Sequence, residues 1–271
     1  MSPNKPIGKL TQPDQKIIKA RRQRLTKKRI EAFKTSVGGV FARTCPVCDY
    51  EGNFVAFGNP PRYDAQCPSC RSLERHRLFW LYLQRSNALN ATQTVLHFAP
   101  ERLLEPLIRD AVGTYETSDL FAKRDVTHRV NIEETGLPDA AYDVIICNHV
   151  LEHVNDEKAL AEFFRMLKPG GFALLSTPVC EGWNTTYENA DVSENKDRLL
   201  HFGQRDHARF FGRDIRDRIR APGFELENIT AIEPDVHRFG LMRGETLFVA
   251  TKPTAKPLTK AKKPPKRAKS N

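Results

Sequence analysis

The sequence predicts an α/β protein built on a doubly wound parallel sheet, preceded by a small cysteine-bearing module. Three observations carry that expectation. Short apolar runs alternate with helical patterns over residues 91–252. One segment, Tyr142 to Gly171, reads as strand, loop, helix and turn, and feeds straight into another apolar run. Four of the six cysteines fall as two Cys-x-x-Cys pairs ahead of the first strand.

In chain order, residues 1–40 form a basic N-terminal segment. Residues 1–44 carry 12 Lys and Arg against Asp14 and Glu31. Gln15–Thr35 reads as a helix, with Ile17, Ile18, Leu25, Ile30 and Phe33 set among nine basic residues. Such a helix docks on its own domain, on a partner or on a membrane surface; docking on its own domain is the plainer expectation. The other end matches it in charge, with eight basic residues and no acid over 251–271. The whole chain sums to +10, so residues 45–250 carry −8 and the globular part is acidic. The tail 253–271 holds four prolines and few apolar side chains, a composition that reads as disordered. For both ends two readings stand: an electrostatic arm for nucleic acid or anionic lipid, or a solubilising extension. There is no run of 18 apolar residues, so no transmembrane segment is expected. The N-terminus also lacks the apolar stretch of a secretory signal. A soluble cytoplasmic protein with reduced thiols is the default.

Residues 41–75 hold Cys45, Cys48, Cys67 and Cys70, spaced Cys-x2-Cys-x18-Cys-x2-Cys. Each pair points two thiolates at one centre, and two such turns complete a tetrahedral sulfur shell, so the spacing reads as a structural Zn²⁺ site. Redox or disulfide pairs are the alternative, disfavoured by an intracellular setting. A segment this short cannot build a sufficient core, and metal binding would supply its folding energy. Cys147 reads as a buried core thiol and Cys180 as a loop thiol. Arg71, Arg75 and Arg77 follow, ahead of an apolar stretch from Leu78 to Leu83; residues 76–90 read as a linker helix. Those arginines would bind an acidic substrate group or, more simply, pair with carboxylates of the acidic core.

Within 91–252, Thr94–Phe98 is the first buried strand, and Ala99-Pro100-Glu101 opens a helix through Leu103, Leu104, Leu107 and Ile108. Thr114–Ser118 is the second strand, ending in Asp119, and Thr127–Val130 a short third. Val144–Cys147 is a run suited to a strand buried on both faces. Asn148-His149 breaks it. A helix from Asp156 follows, with Leu160, Phe163, Phe164 and Leu167 at helical spacing, stopped by Lys168-Pro169-Gly170-Gly171. The next strand runs from Phe172 to Leu175, and Phe224–Ile232 and Glu245–Thr251 close the sheet. In open α/β sheets ligands sit beyond the carboxyl ends of the strands, here at Asn148-His149, and a carboxylate such as Asp119 suits a ribose diol.

The order VLHFAPE, ETSD, LPDAAYDVIICNHVLEHV and ALAEFFRMLKPGG resembles the class I S-adenosylmethionine (SAM)-dependent methyltransferases, and the methyltransferase type 11 group in particular. CPSCRSLERHR and HFGQRDHARFFGRDI are similar to a subgroup that adds a zinc ribbon. The resemblance implies a Rossmann-like, seven-stranded methyltransferase sheet with SAM as cofactor. It implies that Phe98, Ala99 and Glu101 flank the methionine part and that Asp119 accepts from the ribose. It further implies that Asn131 and Ile132 border the adenine, and that Asn148 and His149 line the floor. The chain departs from the class in two places: the loop after the first strand has no glycine, and Asn131 stands where many relatives carry Asp.

Methyl transfer needs a positioned acceptor and, for a hydroxyl or protonated amine, a base. His149, His201 and His207 are the weak candidates for that base, and His153 reads as a helix-start histidine one turn past the site. The polar stretch Val179–Arg209 reads as a substrate lid carrying Trp183, Tyr187, His201 and His207, or as a surface loop tied down by its aromatics. No Asn/Asp-Pro-Pro-aromatic motif follows the fourth strand, and no cysteine is placed as a covalent nucleophile. Three readings of function follow. One is methyl transfer to oxygen or nitrogen of a small molecule or saccharide. The second is an RNA methyltransferase gripping its substrate through ribbon and tails. The third is a non-catalytic binding protein on the same fold.

Overall fold

The computed structural model describes residues 12–36, 39–58 and 60–254, so the expected disordered tail and the extreme N-terminus lie outside the described residues. The chain divides into two compact units. The first comprises residues 1–90, 101–111 and 228–247; the second comprises 91–100, 112–227 and 248–271. Among the described residues no helix is long and apolar enough to cross a membrane.

In the first unit the basic segment forms a helix, Gln12–Ser36. Its described side chains are exposed except near its end, where Ile30 is half-buried and Phe33 meets Tyr63 edge-on at 5.7 Å. Two antiparallel pairs follow, Arg43–Thr44 with Glu51–Gly52, and Val55–Gly58 with Pro61–Gln66. The two cysteine turns share one geometry. Asp49 N–H donates to Cys45 O at 2.9 Å and Arg71 N–H to Cys67 O at 2.9 Å, and Asp49 and Arg71 both take left-handed φ, 58° and 65°. A helix, Glu74–Ser86, carries Arg77, which is fully buried. Its guanidinium donates to the carbonyls of Ala65, Ser72, Phe239 and Gly240 at 3.1, 2.6, 2.8 and 2.6 Å. It also lies 4.6 Å from the Phe54 ring centroid. The expectation that Arg77 pairs with a carboxylate or a substrate is therefore corrected: a planar five-donor group here satisfies buried backbone.

Six strands form one sheet; we label them β1 (Thr94–Phe98), β2 (Thr114–Ser118), β3 (Tyr142–Asn148), β4 (Leu167–Ser176), β5 (Glu225–Thr230) and β6 (Thr246–Thr251), of which β1 to β4 belong to the second unit. Their order is β5-β6-β4-β3-β1-β2. The strands β2, β1, β3 and β4 run parallel, and β6 runs antiparallel to β4. The chain passes from β1 to β2 on one side and then crosses to β3 on the other side of β1, so a crevice opens at their carboxyl ends. Val144 to Cys147 are fully buried, as their unbroken apolar run requires.

The sheet has six strands where seven were expected. Thr127–Val130 makes only one parallel bridge, Ser118 to His128. Side chains replace the ladder there: Thr127 N–H donates to Thr117 Oγ1 at 3.1 Å and Thr117 N–H to Thr127 Oγ1 at 3.0 Å. The Lys168–Gly171 stretch, read as a helix stop, is already strand. Tyr142 pairs with Leu167 and Val144 with Phe172, so these residues form an excursion within β4. Gly171 approaches β3 so closely that a Cβ would stand 2.8 Å from Asp143 O. The helix expected from Ala99 starts only at Leu104, running Leu104–Arg109.

The crossover helix Asp156–Met166 is capped by Asn155, whose Oδ1 accepts from Lys158 N–H at 3.0 Å, and it buries Ala159, Leu160, Phe163 and Met166. From the same helix Glu162 accepts from Thr135 N–H at 2.8 Å and from Arg165 Nε at 2.8 Å. This ties down the loop that carries Asn131 and Ile132. Its ion pair with Arg165 and the Thr135 bonds hold the Glu162 carboxyl at about 2, below its ordinary 4.5. A carboxyl depressed on folding contributes stability above its unfolded value and loses it as pH falls through the folded one. Glu162→Gln is therefore expected to cost roughly 1–2 kcal/mol at neutral pH, allowing for solvent screening of a partly exposed pair. It should also flatten the loss of stability between about pH 5 and pH 2. Urea denaturation across that range reads both effects.

Candidate functional site

A cavity of about 450 Å³ opens at the carboxyl ends of β1, β2 and β3. Its wall begins where β1 ends. Phe98 is buried and Ala99 takes a left-handed φ of 46°, its N–H donating to Ser118 O at 2.8 Å. This is the glycine-free loop, and a Cβ is carried here in a conformation that usually falls to glycine. From β2 come Ser118 and Asp119. Asp119 Oδ1 accepts from Phe121 N–H at 2.9 Å, which fixes the carboxylate at the cavity rim. Leu120, Phe121, Val130 and Ile132 supply apolar wall, with Asn131 beside them. Asn131 Oδ1 accepts from Glu133 N–H at 3.1 Å.

From β3 the chain turns through His149 at φ 54°, whose N–H donates to Ser176 O at 2.8 Å. Its imidazole lines the cavity, and Nε2 is buried without a hydrogen-bond partner. A single 3-10 turn, Leu151–His153, follows. It sends Glu152 inward and returns His153 to the cavity wall. Glu152 accepts from Thr177 Oγ1 at 2.8 Å and lies 3.4 Å from His149 Nδ1. Burial opposes the charged form of Glu152, but the hydrogen bond and charge of His149, with the Thr177 hydroxyl, outweigh it and hold the carboxyl below its ordinary value. His153 Nδ1 lies 3.1 Å from Asp206 O, and its ring meets that of His207 edge-on at 4.8 Å between centroids. His207 is buried, which pushes its imidazole below the ordinary value, and its Nδ1 has no hydrogen-bond partner.

The segment bearing His207 is fixed by ion pairs. Arg209 donates to Leu151 O at 3.0 Å and to Val154 O. It also pairs with the buried Asp156 at 3.2 Å. Arg218 pairs with Asp156 at 3.2 Å and with Glu188 at 2.8 Å.

The structure thus brings Phe98, Ala99, Asp119, Asn131, Ile132 and His149 into one wall. It leaves out two of the expected cofactor residues. Glu101 is held by His76 Nε2 at 2.8 Å and Arg75 Nε at 3.2 Å. Asn148 is turned into the sheet, its Oδ1 accepting from Ser176 Oγ at 2.8 Å. The stretch 179–209 has internal aromatic contacts of the kind expected of a tied-down loop. Trp183 packs on Phe210, and Tyr187 stacks on His201 and bonds its Nδ1 at 2.7 Å, so these aromatics tie the segment to itself. Of that stretch, Asp206 reaches the cavity wall. Glu152 and His153 were not read as site residues. The one sequence signal for them was the LEHV segment, taken only as a mark of resemblance. Cys147 is fully buried, and burial lifts its thiol well above the ordinary value.

The four ribbon cysteines form the other cluster. Cys45 and Cys70 sulfurs lie 3.6 Å apart, and Cys48 and Cys67 sulfurs 3.8 Å. A tetrahedral shell with Zn–S bonds of about 2.3 Å has edges of about 3.8 Å, so the donor set fits such an ion. None of the four is in a disulfide, and each close pair joins one turn to the other.

A family model described as a methyltransferase domain matches residues 67–229. A probable S-adenosylmethionine-dependent methyltransferase of Mycolicibacterium smegmatis is 42% identical over 59 residues, 21% of this chain and 23% of that protein. A ubiquinone/menaquinone biosynthesis C-methyltransferase of Psychromonas ingrahamii is 38% identical over 82 residues, 28% of this chain and 33% of that protein. The chain spans a quarter to a third of the length of these curated relatives. An S-adenosylmethionine-dependent methyltransferase structure from Mesorhizobium loti aligns at 15% identity with a TM-score of 0.47, over 65% of this chain and 97% of that one.

Ala99 offers a direct check of the cavity's backbone. Ala99→Gly is expected to be neutral or stabilising by up to about 1 kcal/mol, whereas Ala99→Val should cost about 1–2 kcal/mol. Thermal melts of the two variants beside the parent read the difference.

Proposed function

The chain belongs to the methyltransferase domain family, and on that premise we propose that it transfers a methyl group from SAM to an oxygen or nitrogen acceptor on a small molecule or saccharide. The observation that carries this reading is the cavity at the ends of β1, β2 and β3, with a carboxylate on one side and imidazoles on the other. Phe98 and Ala99 would flank the methionine part of the cofactor, Asp119 would accept from the ribose hydroxyls, and Asn131 with Ile132 would border the adenine. An apolar wall with one fixed carboxylate suits a nucleoside. When bound, SAM supplies an electrophilic methyl carbon on a sulfonium.

The residues of this chain then hold an acceptor in line with that carbon and keep water away. A hydroxyl or protonated amine must also lose a proton, and His149 is the base best placed for it. Its unpartnered Nε2 lies in a side chain of the cavity wall, and an imidazole suits proton transfer near neutral pH. His201, bonded to Tyr187, is not in that wall. The exposed basic helix Gln12–Ser36 favours a second reading, in which RNA is the acceptor.

The four cysteines would hold a structural Zn²⁺ with no position open to substrate. Purified protein should carry one zinc per chain by elemental analysis. Strong chelation or Cys45→Ser should lower the melting midpoint, because the metal stands in for a core the ribbon lacks.

Calorimetry with SAM tests the cavity: the parent should bind, and Asp119→Ala should bind at least about tenfold more weakly, through loss of a charge-assisted bond. Transfer of tritiated methyl from SAM into cell extract, fractionated into RNA, protein, and low-mass plus glycan pools, tests the acceptor. Label in the last pool on oxygen or nitrogen is the expected result. Label confined to RNA would favour the second reading, and a methyl group found on carbon would overturn the acceptor assignment.

A further inference from the structure

Three metal-binding side chains crowd together where His153 meets the cavity, and the proposed methyl transfer does not use them as a set. One ligand atom from each of Glu152, His153 and His207 lies within 4.8 Å of the other two. They come from two distant parts of the chain. The 3-10 turn after β3 supplies two, and the segment pinned by Arg209 and Asp156 supplies the third.

The surroundings of each group call for a cation. Glu152 is 2% exposed, yet among the described residues no Lys or Arg pairs with it; its partners are His149 and the Thr177 hydroxyl. A buried carboxylate faced by a single imidazole, itself only 3.4 Å away and shared with the cavity wall, is costly to keep charged. His207 is 4% exposed and bonds the Phe202 backbone, while its Nδ1 has no partner. Buried ring nitrogens are almost always paired, and a ring bonded to backbone through one nitrogen and bare at the other is the usual posture of a metal ligand. His153 repeats it: Nδ1 faces Asp206 O at 3.1 Å, which leaves Nε2 as the free lone pair.

We propose that Glu152, His153 and His207 form a binding site for a divalent first-row transition-metal ion. Two imidazoles and one carboxylate suit Mn²⁺, Fe²⁺, Co²⁺ or Zn²⁺ better than Mg²⁺ or Ca²⁺. Three protein ligands leave at least one position open, and His153 is also part of the cavity wall, so a substrate oxygen can reach it. The inference rests on the cavity being the methyl-transfer site, and it narrows the acceptor to a hydroxyl. A hydroxyl held at the open position would become more acidic and give its proton to the imidazole of His149. The oxygen–carbon bond then forms as the sulfur–carbon bond breaks, and the sulfonium departs as a neutral thioether.

The test uses full-length protein with its ribbon metal in place, freed of weakly held ions by a mild chelator and titrated with Mn²⁺, the free ion being followed by electron paramagnetic resonance. The parent should take up one Mn²⁺ per chain, and His153→Asn and His207→Asn should each weaken uptake at least about tenfold. If His207→Asn fails to fold, the half-exposed His153 decides alone. No uptake of Mn²⁺, Co²⁺ or Zn²⁺ beyond the ribbon equivalent would overturn the proposal, as would uptake unchanged in the variants. SAM calorimetry on the same samples separates the two ideas. SAM binding without metal uptake sinks the metal site alone, whereas loss of SAM binding from the parent sinks the reading of the cavity on which it rests.

Discussion

At the carboxyl ends of two adjacent parallel strands the chain turns through left-handed residues that are not glycine, Ala99 at φ 46° and His149 at φ 54°. Each keeps its N–H in the sheet, on Ser118 O and Ser176 O, both at 2.8 Å. The backbone therefore stays paired up to the last residue of the strand and leaves it abruptly, and the space between the two departures is the cavity. For an alanine and a histidine this conformation is costly, by about 1–2 kcal/mol each. The buried ladder of β1, β3 and β4 over-determines it. The inner wall of the cavity, Phe98, Ala99 and His149, takes its position from these two turns.

A second device holds the imidazole side of the cavity. Asp156, at 2% exposure, opens the crossover helix and is paired by Arg209 and Arg218. Arg209 also caps the carbonyls of the turn that precedes that helix. One buried carboxylate thus fixes the start of the helix, the turn bearing Glu152 and His153, and the segment bearing His207. Removal of one partner from such a network leaves charge uncompensated, so the network acts as a unit. The aromatics of the same segment pack on one another, so its internal contacts join Trp183 to Phe210 and Tyr187 to His201.

The first unit solves a different problem, that of a small module with little core. Within it the buried guanidinium of Arg77 gathers four carbonyls from three stretches of chain and stacks on Phe54. Beside it four thiols converge at spacings suited to one ion. A tetrathiolate centre carries negative charge once metal is bound, and a permanent cation beside it offsets part of that charge.

The sequence by itself determined the strands buried on both faces, the crossover helix, and the pairing of the cysteines into two turns, because each rests on local periodicity or on spacing within one turn. It also singled out Phe98, Ala99, Asp119 and His149, which follow or end parallel strands and line the cavity, since position along a parallel strand dictates which residues reach the crevice. It misjudged Thr127–Val130, where side-chain bonds of two threonines stand in for a strand ladder, and it did not foresee that Glu101 pairs with His76 and Arg75. Only the tertiary structure decided that Arg77 bonds carbonyls some 160 residues away, and that His207 meets Glu152 and His153 across more than 50. No period or motif records such meetings. They arise when buried charges and ring nitrogens, removed from water, must find partners wherever the packed chain brings them.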